Sequence, residues 1–81
     1  MEKVQVHEHP IPDRWVIGTL QEHGGVDVFI KRRGTGAYIV TLAGNVMDAG
    51  TGQFKNWQEL VTADVYGSMY AAFEAFQKFY Q

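Results

Sequence analysis

The last third of the chain constrains its fold most. With Val65 to Tyr80 wound as an α-helix at about 100° per residue, seven side chains share an arc of about 120°. They are Val65, Met69, Ala72, Phe73, Phe76, Phe79 and Tyr80. Tyr66 and Tyr70 widen that arc to about 180°. Asp64, Glu74 and Lys78 lie on the other side, together with Gly67, Ser68, Ala71 and Ala75. Thr62 and Asp64 are the candidate N-caps, because a short side-chain oxygen accepts from the free N–H groups of a first helical turn. An amphipathic helix this rich in aromatic residues requires an apolar surface to cover.

The preceding residues supply that surface as strands. Arg14 to Gln21 reads as a first strand, with Trp15, Ile17 and Thr19 on one face and Val16, Gly18 and Leu20 on the other. Glu22-His23-Gly24-Gly25 reads as a turn, since tight hairpins favour residues that tolerate positive φ. A second strand runs from Val26 to Arg32, with Val26, Val28 and Ile30 opposed to Asp27, Phe29 and Lys31. After a turn at Arg33-Gly34-Thr35-Gly36, a third strand spans Ala37 to Ala43. It separates Tyr38, Val40 and Leu42 from Ile39 and Thr41.

Around the turn Asp48-Ala49-Gly50-Thr51-Gly52, Asn45-Val46-Met47 pairs with Gln53-Phe54-Lys55 as a further hairpin, which adds a fourth strand. A competing reading takes Asn56 and Glu59 as a capping-box pair that starts a helical turn at Trp57. Short turns favour a meander. The expected architecture is therefore α+β: a three- to four-stranded antiparallel meander sheet packed by one C-terminal α-helix, in two layers. Residues 1–12 are expected to form an N-terminal arm or short edge strand, set off by Pro10 and Pro12, and residues 13–81 a single domain.

A domain of 81 residues buries only about two-thirds of its unfolded surface. Its two Trp, four Tyr and five Phe supply a large area per residue, and there is no Cys to form a disulfide. That composition points to a cytoplasmic setting. No stretch approaches the roughly 18 apolar residues of a membrane span, and Met1-Glu2-Lys3-Val4-Gln5 opens neither a signal nor a transit peptide. The net charge of −2 argues against a general binder of polyanions.

Each chemical motif meets a competing explanation. His7-Glu8-His9 places two imidazoles at i and i+2, and Glu22 with His23 would complete a metal site. The spacing is common by chance, however, and Pro10 follows at once, so no metal is assigned. Lys31, Arg32 and Arg33 precede a Gly-rich turn that can face an anion or a nucleic acid, without matching a P-loop or a dinucleotide-binding pattern. The same run also serves as a soluble hairpin tip. No Ser–His–Asp or Cys–His set is readable, so no catalytic residue and no cofactor are assigned.

The apolar arc of the helix exceeds the roughly 100° that one packing layer uses. Gly67, Ala71 and Ala75 add a ridge of small residues along its back. Tyr66, Gly67, Tyr70, Ala71 and Glu74 are accordingly the expected interaction surface, for a protein partner or a second copy of the chain. The functional expectation is a non-enzymatic protein-interaction module, an accessory or phage-type protein, with a homodimer as one form of it. The alternatives are nucleic-acid binding through residues 31–36 and a small-ligand protein or enzyme without a readable motif.

Overall fold

The computed structural model describes residues 14–56 and 66–80. The elements run β1 (Arg14–Leu20), β2 (Val26–Gly34), β3 (Ala37–Leu42), β4 (Asn45–Met47), β5 (Phe54–Lys55) and α1 (Met69–Tyr80). All neighbouring strands pair antiparallel in the order β1-β2-β3-β4-β5, a meander without crossovers. The helix lies over β2 and β3. This is the expected two-layer α+β fold with one more strand. The hairpin around Asp48–Gly52 contributes both β4 and β5, with Val46 opposite Lys55 and Met47 opposite Phe54. The proposed helical turn at Trp57 lies outside the described residues, as do the arm and the caps proposed at Thr62 and Asp64.

The core sits between helix and sheet. It consists of Trp15, Ile17, Leu20, Val28, Ile30, Val40, Leu42, Met47, Ala72 and Phe76. A fully buried Val, Leu, Ile, Phe or Met contributes about 1.5–3 kcal/mol. In a small domain, losing one such residue therefore removes a sizeable fraction of the net stability.

Leu20 corrects the simple alternation of β1. Trp15 faces Ile30 and Val16 faces Phe29, but the next pair is Gly18 with Val28, so Ile17 is an extra residue in a β-bulge. The bulge resets the phase of the strand. Trp15 and Leu20, which strict alternation puts on opposite faces, both enter the core. Gly18 beside the bulge is buried and has no side chain to place.

The helix is shorter than its periodicity implies, with 12 residues from Met69. Upstream, Tyr66 is held in extended pairing with β3. The Tyr38 N–H donates to the Tyr66 carbonyl at 2.9 Å, and the Tyr66 N–H donates back at 2.8 Å. Ser68 then caps α1, its Oγ accepting from the Ala71 N–H at 3.0 Å, which is the third helical position. Gly67 therefore precedes the helix and pays no helix-interior penalty. The ridge of small residues does not extend through it. Ala75, assigned by periodicity to the outer side, packs partly against the core.

Two tight turns hold the sheet in register. Ala43 and Gly44, at φ 49° and 84°, form the two-residue link between β3 and β4, the positive-φ pair that matches strand twist. Asp48 organises the next turn. Its Oδ1 accepts from the Gly50 N–H at 2.8 Å, its backbone carbonyl accepts from the Gly52 N–H at 2.7 Å, and its Oδ2 meets Lys55 Nζ at 2.9 Å. The helix C-terminus locks onto this turn, because the Tyr80 hydroxyl donates to the Gly52 carbonyl at 2.6 Å.

Candidate binding surface

On the sheet face away from the helix, strand alternation and register bring the basic run beside a small aliphatic floor. Lys31 is opposite Ile39 on β3 and Arg14 on β1. Thr41 stands between Phe29 on β2 and Val46 on β4. Lys31, Arg32, Arg33, Ile39, Thr41, Gly44 and Val46 together line an open depression of about 330 Å³. That is room for on the order of ten water molecules and falls at the low end of ligand-pocket volumes.

The cations and the floor differ in character. Lys31, Arg32 and Arg33 are exposed, whereas Ile39, Thr41 and Val46 are only 7%, 6% and 3% exposed. A second register shift, between Arg32 and Gly34, makes Arg33 the extra residue of β2. The bulge increases local twist at this strand end. Arg32 is opposite Tyr38, which packs against the core, so register assigns it to the helix side of the sheet although it borders the depression. Arg32 Nε also donates to the Gly34 carbonyl at 3.4 Å, along the same strand end. Thr41 Oγ1 donates to the Phe29 carbonyl at 3.4 Å, which turns its hydroxyl toward the sheet. Beyond the depression the Arg14 guanidinium lies 5.5 Å from the Phe29 ring centroid. None of the described residues that line the depression is acidic.

The residues expected along the helix divide into two groups. Tyr66 is half-buried, packs against the core and belongs to the bridge with Tyr38. Gly67 is exposed in the link before the helix, with open space where a Cβ would stand. Tyr70, Ala71 and Glu74 lie on the helix itself. Tyr70 is 65% exposed and its ring meets Trp15 edge-on at 5.7 Å, while Glu74 is exposed and Ala71 half-buried. Tyr70 and Val26 are the exposed large hydrophobic residues among those described.

His23 Nε2 lies 3.6 Å from Glu22 Oε1, and its ring meets Phe54 edge-on at 6.3 Å. His7, Glu8 and His9 lie outside the described residues. Among the described residues no group of three or more His, Asp or Glu side chains is placed to hold a metal ion, and no helix is long and apolar enough to cross a membrane. Among the described residues the titratable group with a displaced pKa is Asp48. The hydrogen bond from Lys55, followed by that from the Gly50 N–H, holds its carboxyl below the ordinary value. That shift belongs to a structural turn.

Ile39, Thr41, Gly44 and Val46 were not singled out from the sequence as binding residues. Alternation alone places Ile39 and Thr41 on the face of Lys31. Val46 and Gly44 join them only through the β3–β4 pairing. No protein-family model matches the chain, and neither a curated protein nor a solved structure matches it.

Proposed function

We propose that this protein is a non-enzymatic interaction module that binds another protein, and that it does so through the cation-rimmed depression on the face of the sheet opposite the helix. The observation that supports this reading is the convergence of Lys31, Arg32 and Arg33 on one concavity with an aliphatic floor, in a chain whose net charge is −2. Cations gathered on an otherwise acidic protein orient and select a partner, because complementary charge governs encounter and specificity more than raw affinity. The lack of Cys suits a cytoplasmic setting for that encounter.

Nucleic-acid binding draws on the same three cations. It is less well supported, because single-strand binders line a basic groove with aromatic stacking platforms. Among the described residues this lining carries aliphatic side chains instead.

A photo-crosslinking residue at Thr35, the exposed tip of the β2–β3 hairpin, tests the reading in extract from the native host. Protein adducts should form at Thr35, and Arg32→Glu with Arg33→Glu should abolish them. Adducts with nucleic acid alone, or protein adducts that survive the double reversal, would refute it.

A further inference from the structure

We draw no further inference here: the strongest candidate, the surface patch where exposed Arg14 and Lys31 stand directly opposite each other on β1 and β2 beside the Phe29 ring, carries nothing because nothing in the structure shows what covers it.

Discussion

Gly52→Ala should be among the most damaging single-methyl substitutions in the protein. Gly52 is buried at φ 74°, directly beneath the C-terminal turn of the helix. An added Cβ would overlap the Phe79 ring, 2.6 Å from Cδ1 and 2.7 Å from its Cβ. Three effects set the magnitude. A left-handed conformation costs an L-residue about 1–2 kcal/mol. Overpacking against Phe79 costs about 1–3 kcal/mol. The stiffer unfolded chain returns about 0.4–1 kcal/mol. The net is a destabilisation of about 2–4 kcal/mol, with the Tyr80–Gly52 hydrogen bond at risk if the turn shifts instead of the ring. For a domain of this size that lowers Tm by roughly 10–25 °C.

Urea unfolding followed by tryptophan fluorescence and far-ultraviolet circular dichroism measures it. Gly44→Ala is the internal control. Gly44 also has positive φ, at 84°, but a Cβ there meets nothing within 4 Å, so only the conformational cost remains. In a Phe79→Ala background the cost of Gly52→Ala should fall but stay above that of Gly44→Ala, since truncation removes the ring from the overlap and leaves the Cβ 2.7 Å away. Equal costs at the two glycines in the wild-type background, or an unchanged cost after Phe79→Ala, would refute the reasoning.

Three further outcomes are expected. Ser68→Ala should cost about 1 kcal/mol in urea unfolding, through loss of the hydrogen bond to Ala71, whereas Gly67→Ala, outside the helix and in open space, should change stability by less than about 0.5 kcal/mol. Ala43→Asn should stabilise by about 0.5–1 kcal/mol, because φ 49° in a two-residue turn suits Asn better than Ala; thermal melts check the sign. The Asp48 turn should weaken in acid. Its folded pKa is depressed below the ordinary 3.8, so its contribution is present above the unfolded pKa and lost as pH falls through the folded value. The stability difference between wild type and Asp48→Asn should accordingly be constant near neutral pH and shrink below about pH 4.

Periodicity made the helix, the first three strands and the faces of β2 and β3 legible, because those features repeat over many residues. Features created by a single residue were harder to read. The extra residue Ile17 reverses the phase of β1 and carries Leu20 into the core. Gly18, a poor strand residue, was the available signal. The apolar arc from Val65 onward suggested helix through Tyr66. Pairing with Tyr38 is a tertiary contact that no local pattern encodes, and it holds Tyr66 extended. Ser68, read as a back-face residue, had the right chemistry for the cap three positions before Ala71. Lys31, Arg32 and Arg33 stood out by composition. The depression they border depends on β4 pairing beside β3.

Amide chemical-shift mapping during titration with the host protein captured at Thr35 tests the central claim most directly. The account predicts saturable shifts concentrated at Lys31, Arg32, Arg33, Ile39, Thr41, Gly44 and Val46, with the helix amides from Met69 to Tyr80 unmoved. Shifts centred on Tyr70, Ala71 and Glu74, or no shifts at all, would contradict it.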